Sequence, residues 1–205
     1  MTYRLIHKNP STQPKTGVYS DWKPQISDEC YNQCVYCSIH ENRWGGLDNF
    51  HVEHFRPKSI AAFKHLVNDI CNLFLACPVC NRFKSDDWPS DPDLDKPSYP
   101  DPSITDYSKI FRPGVSLYSI SGTCVSATYV IERLYLNRPQ LIYERRESEL
   151  RNKELNLFKE VFELAGKINE KDLTIRTFTV IAAIKTHLSA RENINPYKLA
   201  EIRRQ

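Results

Sequence analysis

Four of the seven cysteines fall in two C-x-x-C pairs, Cys34-Val-Tyr-Cys37 and Cys77-Pro-Val-Cys80. A two-residue spacer lets both thiolates of a tight turn face one ion, and two such turns complete a tetrahedral four-sulfur site suited to Zn2+. The competing reading of either pair is a redox dithiol, but Cys77–Cys80 lacks the strand–helix–strand setting that such a motif uses. Taken together the pairs favour structural zinc, unable to activate water because no coordination position is left open. The 39 residues between Cys37 and Cys77 exceed a minimal ribbon, so the intervening chain must bring the pairs together. Cys30, four residues before Cys34, could substitute as a ligand, while Cys71 and Cys124 read as buried free thiols.

Between the pairs runs Phe50-His51-Val52-Glu53-His54-Phe55-Arg56-Pro57-Lys58, and the second pair lies inside Cys71-Asn72-Leu73-Phe74-Leu75-Ala76-Cys77-Pro78-Val79-Cys80-Asn81-Arg82-Phe83-Lys84. At a strand end, adjacent side chains alternate, so Glu53 can hold a hard cation through oxygen while neutral His54 accepts a proton from water. Asn81, just past the second cysteine turn at the start of a helix, can add an amide oxygen. Arg56, Lys58, Arg82 and Lys84 bring four cations to the same neighbourhood, where a phosphate would be well received. These are the parts of a metal-assisted phosphodiester hydrolysis. His51 has no partner in this scheme and reads as a structural or surface residue.

The elements that must position these groups follow from pattern and composition. The chain has 205 residues, 40% of them apolar, which suffices for one or two domains with a core and excludes disorder as the main state. No run of about 18 apolar residues is present, and the first residues lack the apolar stretch of a signal peptide. A cytoplasmic location is therefore expected, where clustered thiols stay reduced. The formal charge of +3 is unevenly spread, with a basic surplus after residue 130.

We expect an N-terminal extension over 1–29, a zinc-bearing core over 30–90, a Pro/Asp-rich loop and β-hairpin over 91–130, and a helical region over 131–205. Residues 85–106 contain five prolines and seven aspartates, and read as an extended solvated segment, either a linker or a loop wrapped over one face. Val115–Tyr118 and Cys124–Val130 flank a Ser-Ile-Ser-Gly turn and are expected to pair as strands. Helical periodicity begins near Glu132, is broken at Asn137–Arg138–Pro139, and resumes over Gln140–Leu164. Asp172 is expected to cap a further helix, and Asn195–Pro196 to start a last one.

The quoted runs resemble an HNH endonuclease over about residues 30–88. The resemblance implies an α+β fold, the ββα-metal (His-Me finger) nuclease core stapled by a four-cysteine zinc, followed here by helices. It implies that His54 is the general base, that Asn72 helps hold the loop and strand around it, and that Glu53 and Asn81 bind the catalytic ion, Mg2+ or Mn2+. Lys84, and less directly Arg56, Lys58 and Arg82, would neutralise phosphate oxygens. Glu-His-Phe-Arg-Pro-Lys, Cys-Val-Tyr-Cys and the stretch Ile131–Ile142 followed by Arg145-Arg146 are also similar to the HNH proteins of retron and Septu-type anti-phage defence systems. That narrower resemblance implies a DNA substrate and an ATPase partner on another chain, since no glycine-rich phosphate loop occurs here. Two other readings use the same residues. One is an RNA or tRNA endonuclease. The other is a non-catalytic zinc module whose helices dock a partner.

Overall fold

The computed structural model describes residues 2–165 and 170–192. The chain divides into two compact units, Met1–Leu141 and Ile142–Gln205. In the first, helix α1 (Lys23–Glu29) starts with Pro24 in its first turn, where a missing N–H costs nothing, and leads into the first cysteine turn. Strand β1 (His51–His54) pairs antiparallel with β2 (Leu73–Ala76), with His51 opposite Ala76 and His54 opposite Leu73. Helix α2 (Pro78–Lys84) follows β2 after a single residue. All four side chains of β2 are buried, as its unbroken Leu-Phe-Leu-Ala run requires, whereas β1 is exposed at His51 and buried by Glu53. Ile26, Tyr36, Phe50, Phe55, Leu73, Phe74 and Tyr99 fill the core around them.

The Pro/Asp-rich segment is a wrapped loop and not a linker. Ser98 and Tyr99 are completely buried, and the Tyr99 hydroxyl donates to Asp87 Oδ2 at 2.7 Å. Tyr129 donates to the same oxygen and Arg133 Nε lies 3.1 Å from it, so this one carboxylate ties the loop to the chain that follows.

The expected hairpin exists but is displaced. Helix α3 (Tyr107–Ile110) leads into strand β3 (Phe111–Pro113), which pairs with β4 (Ile120–Gly122). Val115–Tyr118 thus forms the loop, with Val115 and Leu117 in solvent, and the anticipated turn is itself the second strand. Cys124–Val130 is not a strand either, because Val125–Arg133 forms helix α4. Its β-branched residues suggested extension, but the buried positions Ser126, Ala127, Val130 and Ile131 follow helical spacing. The free edge of β4 is taken by Asn137, whose amide accepts from Ile120 N–H at 2.8 Å and donates to Ile120 C=O at 2.7 Å.

Helix α5 (Pro139–Ala165) starts at the expected proline break, and α6 (Glu170–Glu192) contains Asp172 within its length, so Asp172 is not its cap. Asn195–Pro196 lies outside the described residues. Among the described residues no helix is long and apolar enough to cross a membrane.

Candidate metal centre and catalytic cleft

The two cysteine turns meet. The sulfurs of Cys34, Cys37, Cys77 and Cys80 lie within 4.8 Å of one another, all buried and none in a disulfide. Cys37 and Cys77 are 3.8 Å apart at sulfur. A tetrahedral ion with bonds of about 2.3 Å holds its sulfurs about 3.8 Å apart, so the donor set and spacing fit zinc. The first turn is closed by Ser38 N–H donating to Cys34 C=O at 2.8 Å, with Ser38 in the left-handed region at φ 57°. In the second, Cys77 is the N-cap of α2, its sulfur accepting from Cys80 N–H at 3.4 Å, and Pro78 occupies the first turn.

A residue that sequence reasoning missed completes this centre. Arg138 places Nη2 3.6 Å from Cys80 sulfur, 3.9 Å from Cys77 and 4.0 Å from Cys37, with Nη1 3.7 Å from Cys80. Four thiolates around a divalent ion leave two excess negative charges, and the guanidinium offsets one. Cys30 is not part of the cluster. Its buried sulfur accepts from Leu75 N–H at 3.3 Å, and burial pushes its thiol up to about 11. Cys71 and Cys124 are half-buried and not fully buried as expected.

Beside the cysteine cluster, β1, the loop after it and α2 enclose an open cavity of about 750 Å³. His51, Glu53, His54, Lys58, Asn81 and Arg82 line it, together with Tyr19 from the N-terminal segment. His54 is held on two sides. Its Nε2 lies 3.0 Å from Val67 C=O, and since a carbonyl only accepts, Nε2 carries the proton and Nδ1 keeps its lone pair. Tyr19 packs edge-on against the ring at 4.6 Å. Burial lowers the His54 pKa, the Val67 bond opposes this, and the Lys58 and Lys84 charges lower it further. The imidazole is therefore neutral near pH 7.

Asn72 is buried just before β2 and joins both ends of the loop. Its Oδ1 accepts from Arg56 N–H at 2.8 Å, and its Nδ2 donates to Arg56 C=O at 3.2 Å and Leu66 C=O at 3.3 Å. Leu66 adjoins Val67, so Asn72 also steadies the carbonyl that orients His54.

Glu53 is 3% exposed, with Oε1 2.7 Å from Lys84 Nζ and accepting from Tyr36 OH at 3.1 Å. Burial raises its pKa, against the lowering effect of Lys84 and Tyr36. Lys84 corrects an expectation. It is completely buried, its ammonium spent on Glu53, on His54 C=O at 3.1 Å and on the face of Tyr99 at 5.3 Å. No phosphate in solvent can reach it, so its role is to hold Glu53 and the end of β1. Arg56 is also drawn away, its guanidinium lying over Phe63 and Trp88 at about 6 Å, and it does not line the cavity. Lys58 and Arg82 remain at the cleft, Lys58 with Nζ 2.7 Å from Tyr19 OH.

His51, expected to stand alone, has a partner: Asn81 Nδ2 lies 2.8 Å from its Nδ1. Comparison with curated proteins and with solved structures gives no match. A family model described as HNH endonuclease matches residues 34–87, which hold both cysteine turns, β1, Asn72, Asn81 and Lys84. Over that segment the chain is similar to a family of endonucleases, and the four-cysteine centre fits the zinc-bearing type.

Proposed function

We propose that the protein is a metal-dependent HNH endonuclease that hydrolyses phosphodiester bonds of DNA through a ββα-metal core formed by β1, β2 and α2. The observation that carries this reading is the fixed tautomer of His54, with Nε2 bound to Val67 C=O and Nδ1 left as an acceptor in a cavity that Glu53 and Asn81 also line. His54 Nδ1 takes a proton from a water, which attacks phosphorus in line with the departing 3′ oxygen. The products are a 5′ phosphate and a 3′ hydroxyl. Glu53, with one oxygen anchored by Lys84 and Tyr36, and Asn81 would hold a divalent ion, Mg2+ or Mn2+. Such an ion supplies charge stabilisation to the phosphorane and the leaving oxygen. Asn72 positions the loop, and Lys58 and Arg82 receive the backbone of the nucleic acid.

DNA as substrate, service as the nuclease of an anti-phage system and an ATPase partner rest on the resemblance of Glu-His-Phe-Arg-Pro-Lys and Ile131–Ile142 to defence-associated HNH proteins. Exposed Leu155, Phe158 and Phe162 along α5 favour a docking role for the C-terminal region. The test is nicking of supercoiled plasmid, alongside a labelled RNA of matched length, with Mg2+ or Mn2+ present and the candidate ATPase from the adjacent reading frame added or withheld. Metal-dependent nicking of DNA that disappears in His54→Ala is expected. Persistence of that activity at the wild-type rate in His54→Ala would overturn the mechanism, and cleavage of RNA alone would move the substrate.

A further inference from the structure

The contact between His51 and Asn81 joins the tip of β1 to the first turns of α2 across the mouth of the cavity. Among the described residues, Asn81 is the hydrogen-bond partner of the His51 ring, at 2.8 Å from Nδ1. Two donors bound side by side to one octahedral ion, with bonds of about 2.1 Å, lie about 3 Å apart. The pair thus already stands at the separation of two ligands of one ion. As oriented, Asn81 offers Nδ2 to the imidazole lone pair. A half-turn of the amide presents Oδ1 at nearly the same point, because the two ends of a carboxamide are alike in size and reach. The direct hydrogen bond is then what an ion would replace.

Strand geometry brings in the third donor. His51 and Glu53 are two residues apart on β1, so their side chains leave the same face, and both line the cavity with Asn81. His54 differs in kind. It is 7% exposed with its tautomer set by Val67, whereas His51 is exposed and, among the described residues, bonded to a residue with a ligand oxygen to give. One histidine is therefore built to exchange a proton, and the other to donate a lone pair.

We infer that His51 Nδ1 is a ligand of the catalytic cation, with Asn81 Oδ1 and Glu53, making the site a mixed nitrogen–oxygen one that selects Mn2+ or a later first-row ion over Mg2+. The inference rests on the proposed function for the existence of the ion and adds the ligand that decides its identity. Mg2+ demands oxygen donors and sheds water reluctantly, while imidazole favours transition ions.

The experiment is Mn2+ titration of the zinc-loaded full chain, followed by electron spin-echo spectroscopy, in which a directly bonded imidazole nitrogen modulates the echo. Wild type is expected to bind Mn2+ with nitrogen modulation and to bind Mg2+ more weakly. His51→Ala should lose the modulation and weaken Mn2+ binding by at least about tenfold. His54→Ala should keep both, which assigns the nitrogen to position 51. Because His51 is exposed, its replacement does not disturb the core. Mn2+ bound without nitrogen modulation, or with modulation that survives in His51→Ala, overturns the inference and leaves the nuclease reading standing. Absence of any Mn2+ binding by wild type overturns both.

Discussion

Arg138 offers the sharpest test of how the two cysteine turns are held. Its guanidinium approaches three of the four sulfurs at 3.6–4.0 Å, with both terminal nitrogens on Cys80. A hydrogen bond to a charged group contributes about 1.5–3 kcal/mol. These bonds are long and the side chain is half-buried, so the lower part of that range applies, about 1.5–2 kcal/mol for Arg138→Ala. At about 1.4 kcal/mol per decade, the zinc dissociation constant should rise about 10- to 30-fold. Arg138→Lys keeps the charge but loses the planar fork, and should recover only part of this. The assay is competition for zinc between the folded protein and a chromophoric chelator, at fixed pH, with release followed over time. Nη1 does not serve the cluster alone, since it also donates to Leu134 C=O at 3.2 Å at the end of α4. Far-ultraviolet circular dichroism before chelation therefore establishes that the variant starts folded. Zinc affinity in folded Arg138→Ala within twofold of wild type would refute charge compensation as the function of this side chain.

Other outcomes follow from the cleft. With His54 as the base of the proposed mechanism, its depressed pKa places the acid limb of the pH–rate profile below the ordinary histidine value of 6.5, because such a base works only when neutral; a limb above 6.5 in cleavage assays at saturating metal would contradict this. The same shift makes the stability contribution of His54 full above 6.5 and erodes it as pH falls through the lowered value, which urea titrations of wild type and His54→Ala can compare. Lys84→Met strands the Glu53 carboxylate in the core and should cost about 3–5 kcal/mol of unfolding free energy, with Glu53→Gln/Lys84→Met recovering part of the loss. Lys58→Ala and Arg82→Ala should each flatten the salt dependence of DNA binding by about 0.9 in log–log slope for every phosphate no longer neutralised, with little change in thermal stability.

Features encoded by short spacing were readable from the chain alone. The cysteine pairs, the Glu53–His54 step and the proline that opens α5 each depend on neighbours within a few residues. Partners brought by tertiary contact were not. Arg138 lies 101 residues from Cys37, and Val67 orients His54 through a backbone carbonyl that any residue type would supply. Lys84 is a different case, because a usable signal was present. It stands four residues after Cys80, hence on the same face of α2 as a buried sulfur, and helical periodicity alone turns it inward. Helix α4 was misread because Val125, Thr128 and Val130 favour extension locally, while burial of Ala127, Val130 and Ile131 decides for a helix.

The second cysteine turn is also the first turn of α2, and this has a consequence for control. A seven-residue helix is too short to persist by itself in water, so its geometry depends on the cap at Cys77 and on whatever fixes that sulfur. Asn81 and Lys84, one at the mouth of the cleft and one beneath it, ride on that helix. An oxidant or chelator that strips the cysteines would therefore unseat the proposed cation ligand and the anchor of Glu53 in a single event. On the proposed function, thiol chemistry outside the cleft would silence cleavage inside it, with no inhibitor ever entering the site.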